Sequence, residues 1–199
     1  MNFVTIDIDE QIQFDRAKLL DVVHYVCDKL PPPELGRVKL HKILYFADML
    51  HFAATGRPLT GVEYQKQPFG PVARHLTWAV RNLAAAGKLE VRRRDYFGFA
   101  KYDFIALEAP DTSRLSALER QLIDDVSAFV CAHSAREISE LRHNAAWEGV
   151  AVGERIPYYT AFDLQPVEIS DEDVEWGAAE AERIVAGRYG DGMRLRCGA

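Results

Sequence analysis

Four polar side chains follow one another at intervals of three or four residues along an apolar stretch: His41, Tyr45, Asp48 and His51. Residues at this spacing share one face of a helix. An imidazole close to a phenol and a carboxylate can transfer a proton, as in general acid–base catalysis. The same pattern is also typical of a buried polar stripe in which each group bonds to a neighbouring element. The sequence leaves both interpretations open and favours the structural one.

Other catalytic or metal-binding patterns are weak. His24 and Cys27 are three residues apart, and Cys131 and His133 are two apart, whereas a zinc site needs three or four converging ligands. The chain has no nucleophile elbow, phosphate-binding glycine loop or zinc-protease helix motif. We therefore predict no metal, no cofactor and no enzymatic activity.

The composition predicts a folded protein of the cytoplasm. Hydrophobic residues make up 48% of the 199 residues, which is enough for a core. No apolar run is long enough to span a membrane, the first ten residues lack a signal-peptide pattern, and the three cysteines do not suggest a disulfide framework. The net charge of -6 argues against a dedicated nucleic-acid coat protein.

The order of predicted elements indicates a mainly α fold with a small β-hairpin, an α+β domain with a winged-helix-like element. Apolar periodicity, glycines, prolines and capping boxes give the bounds. The predicted helices are Asp15–Leu30, Val38–Thr55, Gly70–Gly87 with Pro71 in its first turn, Ser116–Cys131, Ser134–His143 and Asp171–Ala186. The predicted strands are Val62–Lys66, Leu89–Arg94 and Tyr102–Leu107. The second helix is apolar on nearly all sides, so it should be the central one.

A helix followed by a hairpin is also the arrangement of a winged helix. Arg74, Trp78 and Arg81 would then share the outward face of the third helix, and Arg92, Arg93 and Arg94 would lie on the wing. Such a surface can read DNA through the major groove and the phosphates. It can equally be a solvated basic face or dock an acidic protein surface. A DNA-binding transcriptional regulator is therefore the alternative function.

Four sequence blocks in order carry a resemblance to a known family: KLHKILYFA at 39–47, TGRPL at 55–59, FGPV at 69–72, and Glu137 to Trp147. Together they resemble the Panacea domain of SocA-like antitoxins. Members often carry a tryptophan shortly before the aromatic-Gly-Pro element, where this chain has Gln65, Lys66, Gln67 and Pro68. The difference falls where partner specificity is expected.

The resemblance implies an antitoxin that neutralises a cognate protein toxin by binding it. In part of this family the antitoxin is also an adaptor that presents the toxin to an ATP-dependent, Clp-type protease. We expect an arm over residues 1–14, the family domain over 15–162 and an acidic extension over 163–199. Tyr64 and Phe69 are either interface anchors or core residues. The predicted partner-binding residues are Tyr64, Gln67, Phe69, Arg74, Trp78, Arg81, Arg92, Arg93 and Arg94.

Overall fold

The computed structural model describes residues 12–96, 98–133 and 149–164. By contact density the chain separates into Met1–Leu164 and Gln165–Ala199. Most of the predicted arm, the predicted helices Ser134–His143 and Asp171–Ala186, and Trp147 lie outside the described residues. The domain bounds proposed from the sequence therefore stay predictions.

Two helices form the centre of the domain. Helix α1 (Arg16–Lys29) begins at Asp15, whose carboxylate accepts the Lys18 N–H at 2.9 Å. Helix α2 (Arg37–Thr55) ends at Gly56, where a φ of 73° lets the N–H of Gly56 donate to the Phe52 carbonyl. Every residue from 40 to 49 is buried. The predicted central position of this helix is thus confirmed.

A three-stranded antiparallel sheet lies against α2. Its strands are β1 (Tyr64–Gln67), β2 (Gly70–Ala73) and β5 (Arg155–Ile156), in the order β2-β1-β5. The prediction that a helix starts at Gly70–Pro71 is wrong, because these residues pair with Gln67 and Lys66 across a two-residue loop, Pro68–Phe69. Gly70 has a φ of 128°, a value that suits glycine at this point of the hairpin.

The outer edge of β2 offers no free amide. Arg74 N–H donates to the Glu63 carbonyl, and in an antiparallel pair bonded and non-bonded positions alternate. The backbone groups of Pro71 and Ala73 therefore point away from β1. Proline has no N–H, and the N–H of Ala73 donates to His41 Nδ1 at 3.0 Å. A further strand cannot find a donor on this edge of β2.

A helix, a hairpin and a further helix complete the described fold. Helix α3 (Leu76–Ala85) buries Leu76, Ala79 and Leu83, and it leads into the antiparallel pair β3 (Leu89–Tyr96) and β4 (Phe99–Ala106). Helix α4 (Ala117–Ala132) starts at the predicted capping box of Ser116 and Glu119. It packs against α2, as does the 3-10 helix Tyr158–Leu164.

These elements confirm the predicted fold class, a mainly helical α+β domain with small antiparallel sheets. The predicted helix-then-hairpin order is present in α3, β3 and β4. A β-hairpin, β1–β2, precedes α3 in place of the expected longer helix. None of the helices in the described ranges combines the length and the hydropathy needed to cross a membrane.

Candidate functional site

A buried carboxylate on α2 fixes the segment that leads into the β1–β2 hairpin. Asp48 is fully buried, and its oxygens accept the N–H and the hydroxyl of Thr60, each at 2.5 Å, and the hydroxyl of Tyr64 at 2.6 Å. Burial raises the pKa of Asp48, while the bonds from Thr60 and Tyr64 act in the opposite direction. Asp48 thus holds the start of the hairpin against the central helix.

His41 is buried on α2 and holds the second strand of the hairpin, β2, in place. Its Nδ1 accepts the Ala73 N–H, so Nδ1 is unprotonated. Burial, with a smaller contribution from the positive charge of Arg37, lowers the pKa of His41 to about 4. The ring is therefore neutral at physiological pH, which the hydrogen bond requires.

The remaining members of the polar stripe on α2 also bond to neighbouring elements. The Tyr45 ring meets the Tyr64 ring edge to face at 5.3 Å, and His51 Nδ1 donates to the Arg57 carbonyl at 2.7 Å. Asp48 has no exposed surface through which a substrate could exchange a proton. The structure therefore favours the structural interpretation of this stripe over proton transfer.

The best candidate for a contact surface is the tip of the hairpin, which we define as Gln67, Pro68 and Phe69. Phe69 is 82% exposed, the largest value among the large apolar residues described. A turn over residues 151–154 lies beside the tip, because Gly153 N–H donates to the Lys66 carbonyl and Lys66 N–H to the Glu154 carbonyl. Val152 in this turn is 61% exposed. Two apolar side chains therefore project from the same end of one small sheet.

Val152 was not among the residues predicted from the sequence. It sits in a non-periodic stretch, and the only local signal is the turn residue Gly153, which has a φ of 91°. Its position next to the tip depends on the pairing of β5 with β1, which joins residues about 90 positions apart. No local pattern could have placed it there.

Three of the predicted partner-binding residues belong to the hairpin, and they divide into two groups. Gln67 and Phe69 lie at the exposed tip. Tyr64 is fully buried, and burial together with the charge of Asp48 raises its pKa well above the usual value. The expectation that Tyr64 is a surface anchor needs correction, since its side chain supports the hairpin from inside.

The predicted face of α3 is smaller than expected. Arg74 precedes the helix and pairs with Glu63 at 2.9 Å, so it does not share a helical face with Trp78 and Arg81. Trp78 is half-buried, with the guanidinium of Arg16 5.8 Å from its ring centre. Arg81 is the exposed cation of this helix.

The three arginines of β3 do not form one patch. Alternation along the strand places Arg92 and Arg94 on one side and Arg93, opposite Tyr102, on the other. Arg92 donates twice to Glu90, at 2.6 and 2.9 Å, and Arg94 Nε lies 2.5 Å from a carboxylate oxygen of the buried Asp103. The hairpin therefore presents less unpaired positive charge than its sequence suggests, which weakens the case for DNA binding.

No group of three or more His, Cys, Asp or Glu side chains able to hold a metal ion occurs among residues 12–96, 98–133 and 149–164. Cys27 is buried, and burial raises its pKa to about 12, so it is a protonated core residue. His133, the residue after α4, donates through Nδ1 to the Phe129 carbonyl in the last turn of that helix.

Comparison with known proteins gave one result. The family model for an antitoxin SocA-like, Panacea domain matches residues 40–148, more than half of the chain. Neither the curated proteins nor the solved structures gave a match. The matched range includes most of α2, the β1–β2 hairpin, α3, the β3–β4 hairpin and α4, and it confirms the resemblance seen in the sequence.

Proposed function

The chain belongs to the family of SocA-like antitoxins with a Panacea domain, and we propose that it neutralises a cognate toxin protein by direct binding. The family match carries this proposal. The exposed tip supports it, because an aromatic side chain that is exposed on a well-fixed hairpin is typical of an interface anchor.

The contact surface of the toxin would meet Phe69, Val152 and Gln67. The hairpin behind them donates hydrogen bonds to the buried Asp48 and His41 of α2, so little conformational entropy is lost when the tip is bound. Elsewhere on the domain, Arg81 of α3 and Arg93 of β3 carry positive charge that has no ion-pair partner among the described residues. An apolar patch is the complementary surface on the toxin.

Co-expression with the neighbouring gene tests the antitoxin role. Expression of the neighbouring gene alone should arrest growth. Co-expression of the intact chain should restore growth, and the chain should co-purify with the product of that gene. Phe69→Ala should weaken the complex by about 2 kcal/mol, roughly 30-fold, as expected of an aromatic anchor. Leu107→Ala is the matched control, because it removes another apolar side chain that is 56% exposed. It should leave the affinity for the toxin unchanged.

A neighbouring product that is harmless, or that does not bind the intact chain, would overturn the proposed function. Equal binding by Phe69→Ala and Leu107→Ala would leave the antitoxin role standing and reject the tip as the contact surface. Thermal melts of both variants should match the parent chain, because neither side chain is buried.

We further propose that the chain acts as an adaptor that delivers the toxin to an ATP-dependent protease of the Clp type. An adaptor needs two surfaces, and the basic β3–β4 hairpin and the acidic residues of the C-terminal extension are the candidates. Arg93→Glu is the cleanest charge reversal, since Arg92 and Arg94 already pair with carboxylates. It should weaken one association and spare the other.

The half-life of the toxin distinguishes delivery from simple masking. Under delivery, the purified protease degrades the toxin faster when the chain is present. Under masking, the chain leaves the half-life unchanged or extends it. If Arg93→Glu alters neither association, charge segregation does not separate the two surfaces.

DNA binding remains the second candidate, supported by Arg81 and Arg93. A mobility-shift series with upstream DNA at rising salt concentrations tests it, because neutralised phosphates give a steep loss of affinity with salt. Binding that is weak at all salt concentrations would reject this function.

A further inference from the structure

An apolar groove between α2 and α4 forms a second surface, built from residues that take no part in the hairpin tip. Its volume is about 340 Å³. The Phe46 and Phe129 rings meet edge to face at 6.3 Å at its base. The lining residues are Phe46, Leu50, Leu122, Asp125, Val126, Phe129 and Leu164.

Helix α4 carries two apolar stripes, of which one faces the core. Ile123, Val126 and Val130 form the core stripe and are buried. The second stripe lies about 100° away around the helix, at 100° per residue. It consists of Leu118, Leu122, Asp125 and Phe129. Leu118 is 79% exposed, and Leu122 and Phe129 are half-buried. The second stripe is therefore apolar surface that the described part of the domain does not cover.

Asp125 is the charged residue among those that line the groove. It is exposed, and no cation among the described residues forms an ion pair with its carboxylate. The acidic residues near it on α4 are engaged elsewhere: Asp124 accepts the Tyr25 hydroxyl, and Glu119 pairs with Lys18. A basic side chain on an occupant of the groove would thus find a single open carboxylate.

We propose that this groove binds an amphipathic helix of a partner protein, which inserts apolar side chains one turn apart and sets a lysine or arginine against Asp125. A groove between two packed helices is the complement of a third helix, which would insert anchors at positions i and i+3 or i+4. The inference does not rest on the antitoxin role, since it follows from the shape, apolarity and charge of the groove.

A set of synthetic peptides tests the proposal on the full chain. The probe is an 18-residue amphipathic peptide with leucines on one face and lysines beside them. Its twins are a peptide with glutamates in place of the lysines and a peptide of the same composition in scrambled order. The lysine peptide should bind by calorimetry, and both twins should bind at least tenfold more weakly.

Two variants and a control tie the binding to the groove. Asp125→Arg should weaken the lysine peptide about tenfold and strengthen the glutamate peptide, because the charge at the rim is reversed. Leu122→Glu should weaken both peptides more than tenfold. Asp28→Arg makes the same charge change at an exposed position of α1 and should alter neither. Asp125 has an exposed side chain, so this variant keeps the native fold.

Three results would overturn the proposal. The first is equal binding of the lysine, glutamate and scrambled peptides. The second is binding that does not respond to Asp125→Arg. The third is a dimer of the chain in light scattering that Leu122→Glu dissociates, since the occupant would then be a second copy. Each of these leaves the toxin co-expression result untouched, so the two proposals fail separately.

Discussion

Protonation of His41 should destabilise the domain as the pH falls, because the folded state holds this ring neutral. Its Nδ1 accepts the Ala73 N–H, and a second proton on the ring would replace that acceptor with a donor. The pKa of His41 is lowered from 6.5 to about 4. An imidazole in the unfolded chain takes up a proton near pH 6.5, well before the folded chain does.

The sign and the size follow from this difference. A group whose pKa is depressed by folding contributes stability above its unfolded pKa, and this stability is lost as the pH falls towards the folded pKa. Between pH 7.5 and 4.5 the loss is about 2.5 kcal/mol, at about 1.4 kcal/mol per pH unit. Asp48 has a raised pKa and so contributes in the opposite direction, losing its contribution as the pH rises.

His41→Asn removes the contribution of His41 protonation to the pH dependence of stability, since the asparagine carboxamide can accept the Ala73 N–H and does not titrate. Urea unfolding of both proteins across this pH range gives two curves of unfolding free energy. The parent should lose about 2.5 kcal/mol more than the variant. At neutral pH the variant should have a lower unfolding free energy than the parent, because the smaller side chain leaves a cavity. Parallel curves would refute the reasoning that links His41 to the hairpin.

Three further predictions concern the same framework. Tyr64→Phe removes the hydroxyl that bonds to Asp48 and should lower the unfolding free energy by about 2 kcal/mol in urea titrations; an unchanged midpoint would contradict the geometry. Gly61→Ala should lower the unfolding free energy by about 3 kcal/mol, because Gly61 has a φ of 71° and a Cβ there would overlap the Gln13 carbonyl. Gly87→Ala is the control: Gly87 has a φ of 73° but lies in open space, so this change should lower the unfolding free energy by about 1 kcal/mol. In the native protein, Cys27 should resist iodoacetamide until urea unfolds the chain, as mass spectrometry of the peptides would show, because burial raises its pKa to about 12.

Local signals were sufficient for most of the helices. The apolar periodicity of α1 and α2 and the capping box before α4 act within a few residues, so the sequence predicted these elements correctly. The β3–β4 hairpin was also predicted, since alternating runs flank a turn. The structure extends both strands towards the turn, and β4 ends at Ala106, one residue before its predicted end.

The β1–β2 hairpin was only half predicted because a local preference competed with a longer-range pairing. Gly70-Pro71 suits the first turn of a helix, and that preference led to the wrong helix start. In the fold, pairing with β1 and the bond from Ala73 to His41 decide the outcome. The His41 contact joins positions 32 residues apart, which no window of local sequence contains.

The contact surface was predicted in part for a similar reason. Phe69 and Tyr64 are both aromatic and close in sequence, and no local pattern distinguishes a surface position from a core position for either residue. The carboxylate of Asp48 draws Tyr64 inward, while the two-residue loop leaves Phe69 outside. The cross-strand register likewise decides that Arg94 meets Asp103, which alternation alone cannot reveal.

The blocked outer edge of β2 has a consequence for how this protein can change its partner. Contacts that use a strand edge are made by the backbone and are largely independent of side-chain identity. Here Pro71 and the engaged amide of Ala73 remove that route, so recognition at this hairpin depends on the side chains of its short loop. The residues that hold the hairpin in place, Asp48 and His41, lie on α2, outside the loop. Replacement of Pro68 and Phe69 can therefore retarget binding while the scaffold stays intact, and the same framework can serve successive, unrelated partners during evolution.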